Sequence, residues 1–219
     1  MEHFGLRIAK SRANIRISRE SYIQVSQRCT LCSYGEAKYM ISRGAKHLLL
    51  DEMTQTVRYT DAHCELLQRR ALQNYDLNMA YFDTLDDAEF HEELARFTKN
   101  RRFVEAADLC SEAFADPYER GIDGYLYIMV LGQYKQVYIG MTTMSLKKRI
   151  QQHWNKRKEL DRLVYGNVEK SRISIDSFGP LDTTQIYAKA FVGKKLGDLE
   201  LTEERYIRAF DSKFVLNRL

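Results

Sequence analysis

Tyr127 and Tyr138 stand eleven residues apart, in Tyr125-Leu126-Tyr127 and Val137-Tyr138-Ile139-Gly140. Arg149 follows, and His153 lies four residues beyond it, one turn along the same side of a helix. Alone, a basic residue and a histidine on a helix most often mark a solvated face. A guanidinium can also grip an anion through its planar fork, and an imidazole can carry a proton near neutral pH.

The elements that must position them follow from alternation and periodicity. Gly124–Leu131 and Gln136–Thr142 read as two strands joined through Gly132-Gln133-Tyr134-Lys135. Burying Leu126, Ile128 and Val130 with Val137 and Ile139 sets Val130 opposite Val137 and Ile128 opposite Ile139. Tyr127 and Tyr138 then share the other face as diagonal neighbours, with Gly140 across from Tyr127 and open space above the ring. Two readings of the pair stand: a second hydrophobic layer, or phenols of a site. Ser145 is a good N-cap for a helix running to about Leu163. A third strand near Ile186–Val192 and a helix near Thr202–Phe210 complete an α+β segment.

Taken together, Tyr125-Leu126-Tyr127, Val137-Tyr138-Ile139-Gly140 and Leu146-Lys147-Lys148-Arg149-Ile150-Gln151-Gln152-His153 resemble the GIY-YIG endonuclease family. The resemblance covers 124–219 and extends to Glu203, preferred over its neighbour Glu204 only by the four-residue spacing to Ile207, and to Asn217 in Phe214-Val215-Leu216-Asn217. Tyr125 stands where the first motif has glycine, unless Gly124 serves one place earlier. Met141 stands where many members have lysine. The resemblance implies a small antiparallel three-stranded sheet flanked by helices. It also implies a metal-dependent phosphodiester hydrolase with Mg²⁺ (or Mn²⁺) on Glu203. Arg149 would neutralise the phosphate, and Tyr127 would act as general base with His153 and Tyr138 holding it or relaying its proton. Asn217 would orient the site.

Charge is segregated along the chain. Residues 1–50 carry nine Lys/Arg against three Asp/Glu (+6), 51–123 eight against seventeen (−9), 124–173 ten against three (+7), and the remainder seven of each. Two basic segments suggest anion-binding surfaces, with Arg12, Arg16, Lys147, Lys148, Lys156 and Arg157 as nucleic-acid contacts. DNA is the expected partner, with RNA left open. No apolar run is long enough for a membrane span and the first residues lack a signal-like apolar core, so a cytoplasmic protein is expected.

Cys29-Thr30-Leu31-Cys32 is a Cys-x-x-Cys knuckle, and His63-Cys64 lies some thirty residues on. Cys29, Cys32, His63 and Cys64 are candidates for a structural Zn²⁺, against free thiols or redox chemistry. The stretch from Glu65 to about Tyr118 reads as helical and ends at Asp116-Pro117. The expected organisation is a basic, zinc-stapled recognition module (1–66), an acidic helical connector that could mediate homodimerisation (67–120), and the nuclease-like domain (121–219). Restriction of foreign DNA or a mobile-element nuclease is the expected setting. A repair or structure-specific nuclease and a non-catalytic nucleic-acid-binding protein are the alternatives.

Overall fold

The structure is a computed structural model that describes residues 1–9, 17–156, 158–193 and 195–218. In chain order its elements are β1 (Glu2–His3), β2 (Leu6–Arg7), α1 (Arg19–Ile23), α2 (Tyr34–Ser42), β3 (Leu48–Asp51), β4 (Thr56–Tyr59) and α3 (Asp61–Asp83). They continue with α4 (Asp87–Asn100), β5 (Val104–Glu105), β6 (Gly124–Leu131), β7 (Gln136–Thr142), α5 (Leu146–Asn155), β8 (Gln185–Phe191) and α6 (Leu196–Ala209). The class is α+β, with small antiparallel sheets.

The chain divides into two compact units. One comprises Met1–Ile17, Ala80–Lys156 and Ser174–Leu219; the other comprises Ser18–Met79 and Arg157–Ile173. These boundaries depart from the expected 1–66, 67–120 and 121–219. The reason is apolar: α4, expected in a connector, carries Phe90, Leu94 and Phe97 at helical spacing, and all three are buried in one core with Ile128, Val130, Val137 and Ile139. Each phenylalanine so buried contributes roughly 1.5–3 kcal/mol of hydrophobic stabilisation, too much for a solvated spacer.

In this first unit the sheet order is β5-β8-β6-β7. The strand count is therefore four, where three were expected: past α4 the chain lays Val104 opposite Ala188 and Glu105 opposite Tyr187 on the outer side of β8. The β6–β7 hairpin has the register that burial of its aliphatics demands, with Val130 opposite Val137, Ile128 opposite Ile139 and Tyr127 opposite Gly140. Central β6 is buried along its whole length. Its Ile128 and Val130 face α4 and the end of α6 (Ile207, with Phe210 beyond it). The tyrosines take the other face.

Helix α5 starts where expected, the Ser145 hydroxyl accepting from the Lys148 amide at 3.3 Å. It ends at Asn155 rather than near Leu163, because Lys156 is extended and residues 158–173 belong to the other unit. The helical reading of 65–118 also needs correction. After Asn100 the chain forms β5 and two short 3₁₀ turns, Glu112–Phe114 and Tyr118–Arg120.

The second unit holds α1, α2, the β3–β4 hairpin and α3 to Met79. Its polar interior is organised around two groups. Asn74 Nδ2 donates to the Val168 and Ser171 carbonyls at 2.8 and 2.7 Å. Asp161 accepts from the Thr30 amide at 2.7 Å and from the Tyr59 hydroxyl at 3.1 Å.

Candidate active site

Strand period and helix period converge on the Tyr127 hydroxyl. Tyr127 projects from β6 on the face opposite the aliphatic core, while Arg149 and His153, one turn apart on α5, reach it together. Its hydroxyl lies 2.8 Å from His153 Nε2, and Arg149 Nε donates to it at 3.1 Å. The Tyr138 ring packs edge-on to His153, centroids 5.1 Å apart, and 6.2 Å from Tyr127.

Two further groups are tied to the outer edge of β7. The Glu203 carboxylate on α6 accepts the Met141 amide at 3.0 Å through Oε1. Asn217 brackets Ile139, accepting its amide at 2.9 Å and donating to its carbonyl at 2.7 Å. The outward amides of Ile139 and Met141 on one edge strand thus anchor the amide and the carboxylate on either side of Gly140.

A cleft of about 620 Å³ is walled by Tyr138, Arg149, His153, Lys156, Asp176 and Asn217, among others. Tyr127 is not on its wall; it is fully buried, so Tyr138 is the phenol that meets the cleft. Nor is there open space above the Tyr127 ring, because Gly140 itself is in contact with it.

The electrostatics follow from this burial. Desolvation pushes the Tyr127 phenol far above the usual tyrosine range, Tyr138 adds to the rise, and Arg149 opposes it by charge and hydrogen bond. The same desolvation lifts Tyr138. Burial lowers His153 below an ordinary imidazole, though Asp176 partly offsets this. Glu203, half-buried, is raised by desolvation, against the Met141 amide and Arg149. The resting site therefore holds neutral phenols and a neutral imidazole at pH 7.

Sequence reading missed Asp176. Its Oδ1 lies 2.6 Å from His153 Nδ1 and its Oδ2 lies 2.9 Å from Lys156 Nζ. It sits in a short turn, Ile175–Ser177, within a stretch with no hydrophobic period to announce it. The only available signal was chemical: a working imidazole needs a partner for its second nitrogen.

Of the basic residues, Lys147 and Lys148 are exposed on α5, Lys148 leaning to Asp116 at 3.8 Å. Lys156 is exposed at the cleft. Arg12, Arg16 and Arg157 lie outside the described residues.

The cysteine set is brought together only in part. Cys29 Sγ and Cys32 Sγ are 3.4 Å apart. His63 packs at a tilt against His47 and Tyr59, with centroids at 5.1 and 4.8 Å, and the buried Cys64 turns its sulfur to the Tyr59 carbonyl. Burial and the Cys29 thiol push Cys32 up to about 11, a protonated sulfur. Among the described residues no three His, Cys, Asp or Glu side chains are grouped as metal ligands. As placed, the Cys29 and Cys32 sulfurs lie together, while His63 and Cys64 face other partners.

No protein-family model, curated protein or solved structure matches the chain.

Proposed function

We propose that this protein is a metal-dependent endonuclease of the GIY-YIG type, hydrolysing phosphodiester bonds in DNA at the cleft of the first unit. The observation that carries the reading is the Tyr127 hydroxyl held at once by His153 Nε2 and Arg149 Nε, beneath a cleft bordered by Asn217. The convergence of a buried histidine and a half-buried arginine on one phenol oxygen beside a cleft favours chemistry over packing alone. Perturbed titratable groups gathered at such a cleft are a mark of chemistry.

Each residue supplies one requirement of the reaction. Arg149, with its guanidinium partly free of Tyr127, neutralises charge on the phosphate. Tyr138 meets the attacking water at the cleft wall. The water oxygen bonds to phosphorus while its proton passes to the phenol pair, and a phenol proton passes on to His153 Nε2. The bond from phosphorus to the 3′ oxygen breaks, and that oxygen takes a proton from solvent. The relay avoids a free phenolate, which burial makes costly here. Asn217 holds the β7 edge that carries Tyr138.

Glu203 fits a magnesium ligand. Its Oε1 is occupied by Met141, and among the described residues no donor pairs with Oε2, which is left for a cation that retains most of its waters. When bound, the ion would act as a Lewis acid on the phosphate and the leaving oxygen. The proposed DNA partner is supported by exposed Lys147, Lys148 and Lys156 on the cleft-bearing unit. A restriction or mobile-element role is proposed from architecture alone, a second compact unit in the same chain being available for target selection.

Incubation of supercoiled plasmid with the protein and Mg²⁺ tests the reading. Nicked and linear products from the wild type, absent with Tyr127→Phe, are expected. Equal cleavage by both proteins would remove it.

A further inference from the structure

We propose that Asp176 is a positioning residue of this site: it fixes the His153 proton on Nδ1 and thereby leaves Nε2 as the acceptor of the Tyr127 proton. The inference rests on the nuclease reading for its purpose, though not for its geometry. His153 Nδ1 is 2.6 Å from Asp176 Oδ1, and a carboxylate only accepts, so the nitrogen facing it carries the hydrogen. Nε2, 2.8 Å from Tyr127, must then accept, and the phenol must donate.

The arrangement is consistent from the other side. Tyr127 already accepts from Arg149 Nε, which is always protonated. Were Nε2 also a donor, two N–H groups would aim at one oxygen and the phenol proton would have no acceptor in the pair. A single choice of tautomer satisfies all three hydrogen bonds. The partners are also sheltered, with side-chain exposures of 6% for His153 and 10% for Asp176, so water is a poor substitute for either.

Lys156 completes the argument. Its ammonium lies 2.9 Å from the other Asp176 oxygen and so orients the carboxyl group. In Asp176→Asn the amide oxygen is drawn to Lys156, which turns the NH₂ group toward Nδ1. That nitrogen must then accept, which moves the imidazole hydrogen to Nε2 and removes the proton acceptor. The charged groups facing His153 are Asp176, Arg149 and Lys156, with the phenols Tyr127 and Tyr138 against its ring.

The test reads the tautomer directly, by long-range ¹H–¹⁵N spectra of the full chain labelled at histidine, with His153 identified from its absence in His153→Gln. The wild type is expected to show Nδ1 protonated, and Asp176→Asn to show Nε2 protonated. In plasmid cleavage with Mg²⁺, Asp176→Asn should lower kcat by about 10²–10⁴, the scale of a triad forced into the wrong tautomer, with KM little changed. Asp176→Glu, which can still accept, should recover part of the rate. A wild-type His153 protonated on Nε2 would overturn the proposal. So would loss of cleavage in Asp176→Asn with the tautomer unchanged, since that outcome makes Asp176 merely structural. If the wild type cuts no DNA, the nuclease reading falls, while the spectra still decide the part played by Asp176.

Discussion

Gly140 lies directly across the hairpin from Tyr127, and the tyrosine ring fills the space in which any other residue would carry its β-carbon. A Cβ built there would stand 2.5 Å from Tyr127 Cζ and 2.9 Å from Tyr138 Cε1. The glycine is required by close approach, not by a left-handed backbone.

Gly140→Ala should therefore injure the site and the sheet together. The Tyr127 ring cannot recede, since it is locked by two hydrogen bonds and fully buried. Overpacking of this kind costs about 1–3 kcal/mol, and equilibrium denaturation would measure it. Cleavage should fall as well, because displacing Tyr127 breaks its contact with His153. An alanine variant of wild-type stability and rate would contradict this packing.

Tyr127→Phe removes one oxygen and leaves His153 Nε2 and Arg149 Nε without their shared partner. Stability should drop by about 1–3 kcal/mol, the desolvation cost of orphaned buried groups. The cleavage rate should fall by roughly 10²–10⁴, the usual scale of positioned proton transfer. Stopped-time plasmid assays and urea melts read the two effects separately.

Asn217→Asp tests the clamp on the edge strand. The carboxylate still accepts the Ile139 amide but meets the Ile139 carbonyl with repulsion where Nδ2 had donated. A loss of about 1–3 kcal/mol is expected, together with faster hydrogen exchange at Ile139. Unchanged exchange there would show that the clamp does not hold β7.

The pH dependence follows from His153. Burial lowers its folded pKa below that of the exposed imidazole, so the unfolded chain takes up the proton first. Its contribution to stability is complete above about pH 6.5 and is lost as pH falls toward the folded value. Comparison of wild type with His153→Gln by denaturation between pH 5 and 8 should show the wild type losing more stability on acidification. The acid limb of kcat/KM should fall below the ordinary imidazole value for the same reason.

Much of this site could be read from residue order because local periods determine it. Alternation in β6 and β7 sets the hairpin register, and the four-residue step from Arg149 to His153 sets their shared helix side. Other features depend on contacts that no period encodes. Phe90, Leu94 and Phe97 announce an amphipathic helix but not the sheet they cover, which is why α4 could be mistaken for part of a connector. Val104 and Glu105 are too few to announce a strand. Asp176 lies in an irregular turn, and Cys29-x-x-Cys32 fixes its own pair while saying nothing of where His63 points.

The central proposal is hydrolysis of DNA at this site with a cation on Glu203, which is not among the residues lining the cleft, and Glu203→Gln tests it most directly. Glutamine keeps an acceptor for the Met141 amide and removes a half-buried charge, so its melting temperature should equal or exceed that of the wild type. With Mg²⁺ and supercoiled plasmid, the wild type should nick and linearise the DNA while the folded Glu203→Gln protein leaves it intact. Cleavage by the variant at the wild-type rate, or an inert wild type across a range of Mg²⁺ and Mn²⁺ concentrations, would contradict the account.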